Sequence, residues 1–413
     1  MVRGSAGGAC AEPRRTTAAG GLTLRRFLIR WLAWHFMVWA VIGALLAPVL
    51  PGGAPAALVL PLLTAAPVLL LIRRFRGRGT PAEDHPGRAL RLLVLRPFWY
   101  AQLVGPVLAG AGILGGIIGL FLGRPGAAAR AGLAGAAALS FIVGVAGWLG
   151  SHRLRVTRLT AAWPDLPGGL DGLTIAQVSD LHVGPHSSRG FLARVRRAIE
   201  GARPDLIAVT GDLVDDFPRD VEVYAAAFGS LAAPLGVWVS PGNHDVYAGW
   251  DQVHARLEGL PLTVLVNEAR VVQHQGVRLA VAGLGDPAGR HWTRDGGAST
   301  APAPERALRD LPPGLFTIAL AHNPSLWPDL AKRGVALTLS GHTHWGQLAN
   351  PRLDWSLASH FLEHAMGMAA LGGSLLYIHP GTGYWGIPFR LGAWPEVTVI
   401  TLRHGGSPPG WIR

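Results

Sequence analysis

Between residues 174 and 344, short apolar runs end five times in succession on side chains able to hold a cation or a proton. Thr174–Ser179 leads into Asp180-Leu181-His182, Leu206–Thr210 into Gly211-Asp212, and Val237–Ser240 into Pro241-Gly242-Asn243-His244-Asp245. Phe316–Ala321 runs into His322-Asn323, and Ala336–Ser340 into Gly341-His342-Thr343-His344. Runs rich in Val, Ile and Thr and bounded by Gly, Pro and Asp predict strands. In an open α/β sheet the strand ends are where ligands bind. Taken singly, each element is weak: Gly-Asp after a strand is usually a turn, and a lone histidine is usually a core residue. Their conjunction, always directly after an apolar run, predicts one functional edge.

Further strands are expected at Arg278–Leu284, Leu375–His379 and Glu396–Leu402, with helices at Arg189–Ala202 and Val221–Leu231. The order suggests an α/β sandwich. Pro287–Pro304 reads as a long surface loop. The candidate donors are oxygen and nitrogen without thiolate, because the single cysteine, Cys10, lies in a polar N-terminal tail. Such a set suits Mn, Fe, Zn or Mg. Asp212 is expected to bridge two ions with one oxygen for each. Gly211 and Gly242 are expected to let the backbone turn sharply beside it.

The first 150 residues are of another kind and hold only three acids, Glu12, Glu83 and Asp84. Residues 1–22 form a basic tail without periodicity, expected to be disordered. Residues 23–150 carry four apolar runs: Phe27–Leu50, Ala54–Ile72, Phe98–Leu122 and Ala131–Leu149. Each is near the length that spans a bilayer, which predicts a transmembrane helical bundle. Arg30 and His35 interrupt the first run, close enough to an end to snorkel. Residues 151–172 read as a linker, and residues 173–413 as the catalytic domain.

The net charge of +12 arises largely beside these runs, at Arg25, Arg26, Arg73, Arg74, Arg76 and Arg78, with Arg153, Arg155 and Arg158 after the last. Basic flanks belong inside, so the expectation is a multi-pass cell-membrane protein with both termini and the catalytic domain in the cytoplasm. No nucleic-acid partner is expected. A competing reading comes from Arg25-Arg26-Phe27-Leu28-Ile29-Arg30, which resembles a twin-arginine export signal. Against it, Leu24 precedes the pair, no small-residue cleavage site follows, and export demands an odd number of spans.

The succession Asp-X-His, Gly-Asp, Gly-Asn-His-Asp, lone His and Gly-His-X-His resembles the calcineurin-like metallophosphoesterase superfamily. It is nearest the membrane-associated branch of YkuE- and YaeI-type phosphodiesterases. Gln177-Val178-Ser179-Asp180-Leu181-His182, Leu265-Val266-Asn267-Glu268, Ala321-His322-Asn323-Pro324 and Ser340-Gly341-His342-Thr343-His344 carry the likeness, over residues 172–403. The resemblance implies a four-layer α/β/β/α sandwich holding two divalent metal ions. Asp180, His182 and His344 would hold the first with a bridging Asp212, and Asn243, His322 and His342 the second. His244 would stand beside the leaving-group oxygen, with Asp245 orienting its imidazole. Paired cations of this kind clamp phosphoryl oxygens and acidify water.

Three segments depart from the pattern. Trp345 stands where glycine is common, poised either to narrow the mouth or stack on a substrate ring, or to pack in the interior. His379-Pro380-Gly381-Thr382-Gly383 replaces a loop that usually brings an arginine. Gly285-Asp286-Pro287 stands where Asp-Asp-Pro is common. The expected function is a membrane-anchored phosphoesterase cleaving phosphodiester or pyrophosphate bonds, of a lipid-linked substrate. One alternative is a phosphodiesterase for a soluble or cyclic nucleotide. The other is a transport or regulatory protein with a metal-binding domain.

Overall fold

The computed structural model describes residues 18–50, 53–76, 85–291 and 300–412. Residues 1–17 of the expected tail, with Cys10, lie outside these, as do most of the basic loop after residue 76 and the centre of the expected loop Pro287–Pro304. Residues 18–22, read as tail, belong to the first helix, Ala18–Leu46.

Three more long helices follow: Gly53–Arg76, Arg96–Phe121 and Pro125–Gly150. Among the described residues, Ile29–Leu46, Arg88–Phe121 and Pro125–Gly150 are long and apolar enough to cross a membrane. The Ala- and Gly-rich last run qualifies because it is uninterrupted. The second helix, Gly53–Arg76, keeps its apolar sequence to Ile72 and carries Pro61 and Pro67, each removing an amide donor. His35 does not snorkel. It is 1% exposed, with Nδ1 2.9 Å from Gln102 Oε1 and Nε2 3.1 Å from Thr64 Oγ1. A polar ring among apolar helices finds its partners inside the bundle.

The chain divides into two compact units, the second being Ile142–Arg413 with Glu83–His85. Its strands in chain order are β1 (Arg155–Trp163), β2 (Thr174–Val178), β3 (Leu206–Thr210), β4 (Val237–Ser240), β5 (Thr263–Val264), β6 (Glu268–His274), β7 (Val277–Gly283) and β8 (Thr317–Leu320). There follow β9 (Leu337–Ser340), β10 (Ala349–Asn350), β11 (Trp355–Ser356), β12 (Gly367–Leu371), β13 (Ser374–Ile378), β14 (Glu396–His404) and β15 (Gly410–Ile412). One sheet has the order β15-β1-β14-β2-β3-β4-β5 and the other β12-β13-β9-β8-β7-β6. The stretch read as a linker therefore holds a strand, β1, paired parallel with β14 along its whole length.

Alternate residues on each strand serve different layers, because side chains alternate across a sheet. Ile175, Leu206, Ala208 and Trp238 face Leu279, Val281, Ile318, Leu320, Leu337 and Leu339 of the second sheet. Ala176, Val178, Ile207 and Val209 face the other way, against Leu192, Val195 and Ile199 of the helix Arg189–Ala202 and against Tyr224 and Phe228. Ala319 and Ala321 pack on Leu326, just before the helix Trp327–Lys332, and on Leu330 within it. The result is helix, sheet, sheet, helix. The five polar exits are thus shared: β2, β3 and β4 belong to one sheet, β8 and β9 to the other. They meet where the two sheets end together, rather than along one sheet edge.

Candidate metal centre

The expected donors sit two to four residues beyond their strands, five of them on left-handed backbone. Asp180, His182, Asp212, His342 and His344 all have positive φ, between 42° and 70°. That region costs a non-glycine residue roughly 1–2 kcal/mol, and such strain clusters where geometry serves function.

The structure brings all seven expected ligands together in two groups. In the first, His344 Nε2 lies 3.2 Å from Asp180 Oδ1 and 3.0 Å from His182 Nε2. In the second, Asn243 Oδ1 lies 2.8 Å from His342 Nδ1 and 3.2 Å from His322 Nε2. Asp212 joins them through one oxygen: Oδ2 is 3.6 Å from His182 Nε2 and 3.2 Å from His322 Nε2. Its other oxygen accepts from the His244 N–H at 2.8 Å. Oδ2 is thus the oxygen that faces both groups.

The electrostatics divide the donors: against burial, the facing carboxylates hold His182 and His322 above the ordinary value, favouring a proton there, while three others are in ligating form. Burial alone would raise the Asp212 carboxyl, but His322 overrides it and holds the carboxyl well below the usual range. Burial, helped by the charge of His322, lowers His342 to about 4, and burial with Arg390 keeps His344 neutral as well. Neutral imidazoles and an ionised carboxylate are the states that ligate. Imidazole nitrogens and carboxylate oxygens converging 3.0–3.6 Å apart, nearly all buried, fit the divalent ions implied by the donor chemistry.

Gly211 and Gly242 turn out to have different roles. Gly211 has φ +81° and provides the turn, as expected. Gly242 does not; it provides room, because an added Cβ would collide with the Asp212 carboxylate. Gly242→Ala should therefore displace Asp212 and lower bound metal at least severalfold, which elemental analysis of the purified protein would measure.

Asp245 is where the structure departs most from the resemblance. Its carboxylate does not touch the His244 imidazole. Oδ1 accepts from the N–H groups of Leu213 (2.9 Å) and Val214 (3.1 Å), and Oδ2 from that of Gly242 (2.9 Å). Burial and the charge of Asp212 push its acid up to about 7 against the pull of these amides. A side chain that satisfies three buried amides fastens the Asp212 loop to the Asn243 turn. Asp245→Ala should cost about 3 kcal/mol or more, since each stranded donor costs roughly 1–3 kcal/mol. In thermal unfolding Tm should fall by roughly 6–12 °C.

The His244 imidazole instead meets Asp215, whose carbonyl lies 2.9 Å from Nδ1. Asp215 was not singled out in the sequence, although it lies only three residues past Asp212. Its Oδ1 is 3.2 Å from His182 Nδ1. Burial works against its charge and the His182 contact overrides burial, holding the carboxyl below the usual range. A carboxylate behind a ligating imidazole fixes ring orientation and basicity. Arg390 is the second such residue. It is fully buried, and its Nη2 donates to His344 Nδ1 at 2.8 Å. A guanidinium has no lone pair, so the His344 proton stands on Nε2, facing Asp180. To ligate through Nε2 the neutral ring would shift that proton to Nδ1 and part from Arg390. The cationic group absent from the His379–Gly383 loop thus arrives from residue 390, behind a ligand rather than facing substrate. No local motif marks it.

Trp345 is packed. It is 9% exposed among Trp327, Leu376 and Ile378, and its Nε1 donates to the Ile378 carbonyl at 2.9 Å. The aromatic at the mouth is Trp385, whose ring centroid lies 6.1 Å from that of His244. His244, Gln347, Leu362 and Trp385 line a cleft of ≈ 350 Å³ over the two groups. Asp286, in the third departing segment, is buried and accepts from Ala288 N–H at 2.8 Å, and its charge acts on His322.

Residues 173–346 match the family described as calcineurin-like phosphoesterase. A metallophosphoesterase of Aquifex aeolicus is 28% identical over 270 residues, 65% of this chain and 99% of that one. The metallophosphoesterase YkuE of Bacillus subtilis is 30% identical over 265 residues, 63% of this chain and 89% of that one. A "transmembrane protein with metallophosphoesterase domain" of Danio rerio is 30% identical over 255 residues, 58% of this chain. The match spans only 55% of the length of that protein.

Proposed function

We propose, from the premise that this chain belongs to the calcineurin-like metallophosphoesterase family, that it hydrolyses phosphodiester or pyrophosphate bonds of an amphiphilic, lipid-linked substrate. Membership makes the chain a metal-dependent phosphoric ester hydrolase. The observation that carries the finer reading is the convergence of two donor groups on Asp212 Oδ2. Asp180, His182 and His344 would hold one divalent cation and Asn243, His322 and His342 another, with Asp212 common to both. Such ions, when bound, neutralise phosphoryl oxygens and lower the pKa of water.

The remaining work falls to the chain's own residues. Asp215 and Arg390 hold the rings of His182 and His344. The Asp215 carbonyl takes the Nδ1–H of His244, so the doubly protonated ring would give its Nε2 proton to the leaving oxygen in the cleft and be left neutral. Leu362 and Trp385 give that cleft apolar walls suited to the uncharged part of a substrate.

The helices associate the chain with a membrane. Counting Gly53–Arg76 as a fourth span, the arginines at Arg73, Arg74 and Arg76 and at Arg153, Arg155 and Arg158 fall on one side, taken as cytoplasmic. Residues from β1 onward would be the catalytic domain. The full chain should turn over bis(p-nitrophenyl) phosphate faster than the monoester in the presence of Mn, Fe, Zn or Mg. Inactivity on every ester with every metal would overturn the reading. Protease digestion of sealed vesicles would place the domain, and cleavage only in right-side-out vesicles would overturn the cytoplasmic assignment.

A further inference from the structure

The cleft opens between two loops with outward-facing apolar side chains. Leu353, Trp355, Leu357, Phe361 and Leu362 on one loop, and Trp385 on the other, are all exposed, Phe361 to 80% and Leu353 to 74%. Neither loop is loose. β11 pairs with β10, Ser356 Oγ accepts from Ser359 N–H at 3.2 Å, and Gly346 packs beneath Leu357 with no room for a side chain. Gln347 ties the second loop to the first: its amide donates to the Trp385 carbonyl (3.0 Å) and accepts from the Trp385 N–H (3.1 Å). Among the described residues of 151–412, the other exposed large apolar side chains lie on separate elements. Contiguous apolar surface held outward by ordered backbone marks an interaction site.

The same unit indicates what covers it. Its residues Ile142–Gly150 are the end of an apolar helix and carry an exposed Trp148, and Arg153 and Arg155 then stack on Trp394 at 5.7 and 4.9 Å. Tryptophan followed by arginine marks the level at which a span meets the headgroups. At that level Gly147 packs on the ring of Phe389 and Gly150 on Trp394, while Arg390 N–H donates to the Gly147 carbonyl at 2.8 Å. Trp385 is four residues from Phe389, so the chain holds it within roughly 14 Å of that level. Arg153 and Arg158, both exposed, supply positive charge near the helix end that anionic headgroups attract, while Arg352 on the rim loop is offset by exposed Asp354 and Glu363.

We infer that this apolar rim is a bilayer-contact surface, seated in the headgroup–acyl boundary of the membrane its own helices enter, through which a phosphoester with an acyl tail reaches the cleft while the tail stays in lipid. The substrate half rests on the phosphoesterase reading; the contact itself does not. Cys10 is the only cysteine in the chain, so Cys10→Ser with Phe361→Cys allows one fluorophore on the rim of the full-length protein. A second position, Leu353→Cys, serves if the first fails to fold, and Val271→Cys, exposed on β6, is the comparison.

In nanodiscs containing phosphatidylglycerol, nitroxide-labelled lipids should quench the rim labels at least about threefold more than the label at Val271, as expected for side chains about 5–10 Å into the boundary. L353S/F361S should lower kcat/KM for an acylated phosphodiester about tenfold relative to that for bis(p-nitrophenyl) phosphate. Equal quenching at rim and comparison positions would overturn the contact. Shielding that appears only as protein concentration rises would overturn it in favour of a second copy of the chain. An unchanged substrate ratio with strong quenching would overturn the substrate half alone. Strong quenching in a protein inactive on every ester would support the contact while overturning the phosphoesterase reading.

Discussion

Asp212→Asn is expected to strip bound metal to below one ion per chain and to lower turnover by about 10³-fold or more. The reason lies in the two oxygens of the native carboxylate. Oδ1 accepts from the His244 N–H, and Oδ2 faces His182 and His322 together. An asparagine has one acceptor and one donor end. With its carbonyl toward the histidines, its NH₂ meets the His244 N–H, donor against donor. With its NH₂ toward the histidines, no lone pair remains at the shared position. Neither orientation works. His322 also loses the partner that holds its proton affinity well above the ordinary value against burial. Elemental analysis after gel filtration, with initial rates on a diester, tests this. Two ions retained per chain with rates within tenfold of the native protein would exclude the shared role.

Much of this site could be read from the sequence because apolar strands and polar exits alternate abruptly. The boundaries expected for Leu206–Thr210 and Val237–Ser240 coincide with those of β3 and β4, since both strands are buried on both faces and read as continuous apolar runs. Strands with polar or exposed residues were less visible. β1 carries Arg155 and Arg158 and has one exposed end, so its arginines read as the flank of a membrane helix. β6, at the edge of the second sheet, has no fully buried residue and shows little alternation of apolar and polar residues. Tertiary partnerships were less visible still. Arg390 reaches His344 from 46 residues away in the chain, and no spacing rule predicts a cation behind a ligand. Asp245 illustrates the reverse error. Its place beside His244 suggests a partner for the imidazole, yet a helix start turns adjacent side chains in different directions, and its carboxylate satisfies the amides of Leu213, Val214 and Gly242. Trp345 could not be decided from sequence because its left-handed backbone, φ 51°, is what turns it inward.

His244→Ala is expected to separate metal binding from turnover. The contact by which residue 244 holds Asp212 in place is made by its backbone N–H, and alanine keeps that N–H. The imidazole lies within reach of His182 and Asp212, so a ligand role would require metal to be lost with the ring. Its anchoring argues against that role. Nδ1 is 2.9 Å from the Asp215 carbonyl, and the ring, half-buried, lines the substrate cleft. Residue 244 is thus held where it can pass a proton to a departing oxygen. The variant should retain its metal content and lose about 10²–10⁴-fold in kcat on an alkyl diester, the range for removing a positioned acid. The loss should shrink for a p-nitrophenyl ester, whose leaving group departs without a proton. Loss of metal from the variant would move His244 into the ligand set. An equal rate loss on both esters, with metal retained, would leave the ring a role in binding or charge stabilisation and remove it as the proton donor.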